Sequence, residues 1–226
     1  MQIGIIGAGH IGGTLARRLR ELGHDVAIAN SRQPETLAAL AAEIGATATT
    51  PEAAVRGRDL VIVTIPMRRI PALRGVLDGA APGTVVIDTG NYYPRQRDGR
   101  IEPIEAGMTE ARWVATELGR PVVKVFNNIN WLKLLNNGLP AGDPLRIALP
   151  VAGDDAAAKA MVMALVDSLG FDSVDAGGLD DSYRQQPGQP AYGADLPREA
   201  LVAALGRVTT RRPPDFVGRP GDPLPR

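Results

Sequence analysis

Apolar positions along the chain fall into short β-branched runs, and these alternate with stretches where apolar residues recur every three to four positions. Residues 2–6 are one such run, short enough for a single buried parallel strand. Leu15, Ala16, Leu19 and Leu22 then mark one face of a helix, Arg17, Arg18, Arg20 and Glu21 mark the other, and Gly23 ends it. A second strand follows at 25–29. Pro34 opens a helix that Gly45 closes, a short strand covers 46–49, and Thr50 caps a helix with Pro51 at its first position. Residues 60–65 form a buried strand closed by Pro66. Pro71 interrupts the helix that comes next, and 84–88 is again a strand.

The same alternation continues to residue 175. A polar loop at 89–103 leads to a helix capped by Thr109 and closed by Gly119, then a strand at 121–126 and a short helix at 131–136. A strand at 146–152, a helix begun by Asp154 and Asp155, and a strand at 171–175 follow. This order predicts an α/β fold, a doubly wound, mostly parallel sheet of the Rossmann type, spanning residues 1–176. Ligands of such sheets lie beyond the carboxyl ends of the strands, at the switch point between the first and fourth. Residues 177–226 read as a small C-terminal extension. It has little periodicity at first, one amphipathic helix in LPREALVAALGRV, and a tail containing Pro213, Pro214, Pro220, Pro223 and Pro225. That tail is expected to be disordered or to lie on another subunit of a homodimer.

Candidate chemistry begins at the first turn. Gly7, Gly9 and Gly12 stand at G-x-G-x-x-G spacing between a strand and a helix, with a second strand inside about 30 residues, and the combination is a dinucleotide fingerprint. Gly7 permits the tight turn, Gly9 lets backbone approach a pyrophosphate, and Gly12 allows close helix–strand packing. The helix N-terminus offers N–H groups to the anion. At the end of the second strand, where NAD-binding chains carry an acid, the sequence reads Asn30, Ser31, Arg32. A hydroxyl followed by a guanidinium suits a 2′-phosphate, so the expected cofactor is NADP(H).

Composition narrows the alternatives. The 226 residues carry no formal net charge, which argues against nucleic acid or an anionic membrane as partner. Without cysteine there are no disulfides or thiolate metal sites, and with His10 and His24 as the only histidines no metal centre is expected. The longest strongly apolar runs are strand-sized, and Arg17 and Arg18 follow the first of them, an order that fits no signal peptide. A cytoplasmic protein acting on a small-molecule redox acceptor is expected.

The segments IGIIGAGHIGGTLARRL, ANSR, VTIP, DTGNYYP, VVKVFNNI, LPVAGDD and GFDSVDAGGL together span roughly residues 2–178. In these the chain resembles the deazaflavin (coenzyme F420)-dependent NADP reductases, and it is similar to the NADPH-binding oxidoreductase domain of the STEAP metalloreductases. The resemblance implies hydride transfer between NADP(H) and a flavin-like ring, with F420 first and FMN or FAD second. It also implies roles by position. Gly7, Gly9, His10, Ile11 and Gly12 would hold the pyrophosphate, Ser31 and Arg32 the 2′-phosphate. Thr64, Ile65 and Pro66 would lie under the nicotinamide ribose, and Asn91, Asn127 and Asn128 beside the nicotinamide. Beyond residue 178 no match to a deazaflavin-binding end is found, and no transmembrane haem domain follows.

Taken alone, the residues admit other roles. His10 reads as a solvent-facing turn residue, and Trp131, at helical spacing from Leu135, as core. Asn127 and Asn128 either orient a ring or close a loop through bonds to backbone. Lys133 and Asn137 share a helix face, as the catalytic pair of β-hydroxyacid dehydrogenases does. The glycines that precede that family's Lys are replaced by Asn127 and Ile129, and a surface Lys is the competing reading. A binding protein that senses NADP without turnover is the third.

Overall fold

A computed structural model of the chain describes residues 1–219. The main sheet has the order β3-β2-β1-β4-β5-β6, with every pair parallel. Its strands are β1 (Gln2–Ile6), β2 (Asp25–Ala29), β3 (Thr47–Ala48), β4 (Leu60–Val63), β5 (Val85–Asp88) and β6 (Val123–Lys124). This is the doubly wound Rossmann arrangement, with the switch point between β1 and β4.

Side chains alternate across that sheet. Ile3, Ile5, Leu60, Ile62 and Ile87 face a layer that includes Leu15 and Leu19 of α1 (His10–Glu21) and Leu165 and Val166 of α8 (Ala156–Ser168). Val61, Val63 and Val86 face the opposite layer, with Leu77 of α4 (Arg74–Leu77) and Val114 and Leu118 of α6 (Glu110–Leu118). Burial on both faces explains why these strands read as continuous apolar runs. The shorter helices α2 (Ala38–Ile44), α3 (Pro51–Val55), α5 (Glu102–Glu105) and α7 (Trp131–Asn136) connect and flank the strands.

Local signals act as expected at several termini. Thr50, Thr109 and Asp155 each accept hydrogen bonds from the first turn of the helix they precede, and Gly45 and Gly119 end theirs in the left-handed conformation. Pro71 confines residues Met67–Leu73 to a 3-10 helix before α4 begins. Leu22, expected on the buried face of α1, instead caps it and is exposed.

Other parts differ from the expectation. The last two strands, β7 (Ala148–Val151) and β8 (Asp172–Asp175), leave the main sheet and pair in parallel with each other. A single antiparallel bridge from Ala152 to Lys124 joins the two sheets. The polar loop at 89–103 contains a π-turn at Pro94–Asp98 and the start of α5. Between residues 177 and 219 the chain forms further elements despite its weak periodicity. Residues Leu179–Gln185 form a 3-10 helix against α6, and α9 (Arg198–Gly206) packs Leu201 and Leu205 on the small sheet.

The described part of the proline-rich tail lies on its own chain. Arg95 donates to the carbonyls of Pro214 and Val217, Arg100 to that of Gly218, and the Gly218 amide donates to Glu105. Residues 220–226 lie outside the described residues. No helix among the described residues is long and apolar enough to cross a membrane. Nor do three or more of their His, Cys, Asp or Glu side chains cluster as metal ligands would.

Candidate functional site

The glycine turn is built by close backbone packing between β1, β4 and α1. Gly7 has φ +114°, and a Cβ there would sit 2.3 Å from the Thr64 carbonyl oxygen. A Cβ on Gly12 would lie 1.8 Å from the Gly7 carbonyl oxygen. The Thr64 hydroxyl donates to that same Gly7 carbonyl at 3.2 Å, so Thr64 braces the turn from below. Gly9 differs, since a Cβ there would meet no protein atom within 4 Å. It precedes α1 with no side-chain cap, and no acid stands in the helix's first turn. The backbone amides of His10, Ile11 and Gly12 therefore face a place shaped for an anion. Ile11 is half-buried, as are Ile65 and Pro66 beyond β4.

At the end of β2, Asn30 makes the turn that presents its neighbours. Its carbonyl oxygen Oδ1 accepts from the Arg32 amide at 2.8 Å, and its Nδ2 donates to Thr36 at 3.1 Å. Ser31 and Arg32 are exposed, and the Arg32 guanidinium has no ion-pair partner among the described residues. These features fit a dinucleotide phosphate: uncapped amides at the turn, and a free cation where a 2′-phosphate would lie.

Asn91 and Asn127 meet where β5 and β6 release their loops. Asn127 donates to Asn91 Oδ1 at 3.1 Å, and Asn91 Nδ2 donates to the Asn127 carbonyl at 2.8 Å. Asn127 Nδ2 also donates to the Gln185 carbonyl at 2.8 Å, while its Oδ1 accepts from Gln185 Nε2 at 2.9 Å. The Asn127 amide is therefore committed within the protein and 4% exposed, and it orients Asn91 rather than facing a ring itself. Asn128 is buried too, with its carbonyl accepting from the Gly193 amide at 3.0 Å. Phe126, just before this pair, is held at φ +62°, a conformation a bulky residue adopts only when its surroundings impose it.

His10 is exposed, as the sequence suggests, but Trp131 is not core. The two rings stack with centroids 4.7 Å apart beside a cleft of about 370 Å³ lined also by Gly9, Arg17 and Leu40. The stacking partner is the first residue of α7, whose buried residue is Leu134. Lys133 is exposed and forms an ion pair with Asp195. Asn137 is exposed one turn later, so that pair lies on a surface.

Several polar residues at the site escaped sequence reasoning. Tyr93 and Tyr192, 99 positions apart, share a hydroxyl-to-hydroxyl hydrogen bond, and Asn91 Nδ2 donates to Tyr192 at 3.4 Å. Burial, and then the Tyr93 hydroxyl, push the Tyr192 phenol well above its ordinary range. Arg97 lies over the Tyr93 ring at 5.1 Å. Lys124 and Asp88 pair at 2.8 Å beneath the loops, and Glu110 accepts from the Tyr92 amide at 3.0 Å. Burial raises the Glu110 carboxyl to about 7. The tyrosines were visible in DTGNYYP and QPAYG, but nothing in the spacing says that these segments touch.

The fold and the uncapped glycine turn after β1 are those of the dinucleotide-binding Rossmann class. Residues 2–92 match the family described as NADP oxidoreductase, coenzyme F420-dependent. Over 70 residues the chain is 42% identical to the protein YjhV of Escherichia coli (strain K12), a stretch covering 31% of this chain and 51% of YjhV. The chain thus spans about half the length of that curated relative. Among solved structures, the hypothetical protein SMa0349 of Sinorhizobium meliloti aligns with a TM-score of 0.75 at 28% identity, over 88% of this chain and 96% of its own. A proposed F420-dependent NADP reductase of Arthrobacter sp. FB24 aligns with a TM-score of 0.67 at 27% identity, over 79% and 86%. The 3-hydroxyisobutyrate dehydrogenase of Mycobacterium tuberculosis shares the fold, at 19% identity and a TM-score of 0.56, over 79% of this chain and 55% of its own.

Proposed function

We propose that the chain is an NADPH-dependent oxidoreductase that passes hydride between NADP(H) and a flavin-like small molecule, deazaflavin F420 first and FMN or FAD second. The observation that carries the reading is the exposed Arg32 beside the Asn30 turn, without an ion-pair partner among the described residues, at a strand end where the sequence reads Asn30, Ser31, Arg32 and no acid. The uncapped turn at Gly9 supports it by offering backbone amides to a pyrophosphate. Bound NADPH would supply the hydride. The chain would fix its phosphates through Gly7, Gly9, His10, Ile11, Gly12, Ser31 and Arg32, and would brace the turn through Thr64.

The ring acceptor is favoured by what surrounds the β5 and β6 loops. They present an ordered amide, phenols and backbone, groups that orient a conjugated ring. The β-hydroxyacid dehydrogenase reading needs Lys133 as proton donor, and that ammonium is exposed and paired with Asp195. An anaerobic panel decides between them, with NADPH oxidation followed against F420, FMN, FAD, quinones and hydroxy or oxo acids. Reduction of a ring acceptor is the expected result. Turnover of hydroxy acids alone would overturn it, and tight NADPH binding without any turnover would make the chain a sensor.

A further inference from the structure

We propose that Thr36 is a positioning residue for cofactor choice: through Asn30 it holds Ser31 and Arg32 where the 2′-phosphate of NADP(H) would bind. This assignment rests on the function proposed above and adds to it a residue for which the sequence offered no role.

The direction of each hydrogen bond in this loop is determined. A backbone N–H can only donate, so the Asn30 atom 2.8 Å from the Arg32 amide is the carboxamide oxygen. That leaves Nδ2, which has only protons to give, 3.1 Å from the Thr36 hydroxyl oxygen. The hydroxyl accepts from Asn30, and its own proton goes to the Gln33 carbonyl at 2.7 Å. The same carbonyl takes the Thr36 amide at 3.0 Å. A relay thus runs from the Arg32 amide through Asn30 and Thr36 to Gln33, with one orientation at every link. Thr36 has no proton left for a ligand, so it acts through Asn30.

The relay braces a loop between two anchors. β2 ends in the buried Ala29 on one side, and Leu37 is buried on the other. Pro34 fixes the backbone at the first position of the 3-10 helix Pro34–Leu37. Between these anchors the Asn30–Thr36 bond crosses the loop from strand end to helix. The groups it turns outward are free. Among the described residues, neither the Ser31 hydroxyl nor the Arg32 guanidinium makes a hydrogen bond or an ion pair, and both residues are exposed.

That arrangement suits a phosphate on the ribose. A phosphate gains from a hydroxyl and a guanidinium together only when both face it at once. A loose loop would have to be ordered on binding, at the expense of part of that gain, whereas the relay orders it beforehand. NADH lacks the 2′-phosphate and would use neither group. The brace therefore bears on discrimination between the two cofactors and not on dinucleotide binding as a whole.

The test uses the full chain and two probes that differ only in the phosphate, adenosine 2′,5′-bisphosphate and adenosine 5′-monophosphate. Both are titrated by calorimetry into wild type, Thr36→Val and Thr36→Ser. Valine keeps the shape and removes the hydroxyl; serine keeps the hydroxyl. Thr36 is exposed, so both variants should fold, and thermal melts check this. Thr36→Val is expected to weaken the bisphosphate about 3- to 10-fold, to leave the monophosphate unchanged, and to speed exchange of the Arg32 amide hydrogen followed by NMR. Thr36→Ser is expected to restore both properties. Unaltered bisphosphate affinity in Thr36→Val would overturn the role and leave the function standing. Equal weakening of the two probes would mark Thr36 as structural and overturn it too, as would lost bisphosphate affinity with the Arg32 amide exchanging as in wild type. A wild type that binds both probes equally would remove the NADP reading, and this role with it.

Discussion

The ammonium of Lys124 lies 2.8 Å from the carboxylate of Asp88, and both side chains are essentially closed to solvent. The pair ties β5 to β6 at the level where both strands release site loops, and Lys124 also donates to the Gly90 carbonyl. Removing one partner would leave a bare buried charge. Lys124→Met should therefore destabilise the fold by about 3–5 kcal/mol, and adding Asp88→Asn should recover much of the loss. Urea midpoints of the two variants against wild type measure this; a Lys124→Met midpoint equal to wild type would count against it.

Glu110 makes stability depend on pH. Its carboxyl is raised from 4.5 to about 7, by burial first, with Lys124 and Arg212 opposing. The folded state thus holds a proton that the unfolded state releases earlier. The stability this confers is fully present below pH 4.5 and is lost as pH rises through 7. Wild type should lose roughly 2–3 kcal/mol across that window relative to Glu110→Gln. Unfolding curves at pH 5 and pH 8 test it, and parallel profiles for the two proteins would refute it.

Arg32→Ala should weaken NADPH binding about 10- to 100-fold and leave NADH binding unchanged, since one charge-assisted contact to the 2′-phosphate is removed. Calorimetric titration of both cofactors gives the answer. Equal affinity of the wild type for NADH and NADPH would defeat the cofactor assignment.

Two glycines of the turn should part company. Gly12→Ala forces a methyl to within 1.8 Å of the Gly7 carbonyl and is expected to unfold or distort the turn. Gly9 has φ −78°, and its added methyl meets no protein atom, so Gly9→Ala should fold normally and lose cofactor affinity alone. Thermal melts with and without NADPH separate these outcomes; a Gly9→Ala protein with wild-type affinity would speak against a pyrophosphate at the turn.

Lys133→Ala should leave ring-acceptor turnover intact, because its ammonium sits on the surface against Asp195. Steady-state rates settle the point, and a loss of turnover would revive the dehydrogenase reading.

The first half of the sheet was legible because its signals are local. Gly7 to Gly12, the face of Leu15 and Leu19, and the Thr50 and Thr109 caps each act within a few residues. Strand runs at 146–152 and 171–175 were equally visible, but a strand pattern does not name its partner, and β7 and β8 pair away from the main sheet. The site divided the same way. The residues proposed to face phosphate follow from spacing. The position of Asn127 suggests a ring-orienting amide, yet that amide is spent on Asn91 and Gln185. Tyr93 and Tyr192 meet only because the segment after β8 returns across β6, which no periodicity announces.

That return has a consequence for the order of events in folding. Gln185 reads the carbonyl of Pro150 on β7 and the side chain of Asn127 beyond β6, so its segment has nothing to bind until both are in place. Residues 179–193 should settle last and open first, while the parallel sheet beneath stays intact. Under native conditions, amide hydrogens around Gly193 would exchange ahead of those in β1 and β4. A ligand that touched Tyr192 would slow the former and not the latter, reporting occupancy of the site without any turnover.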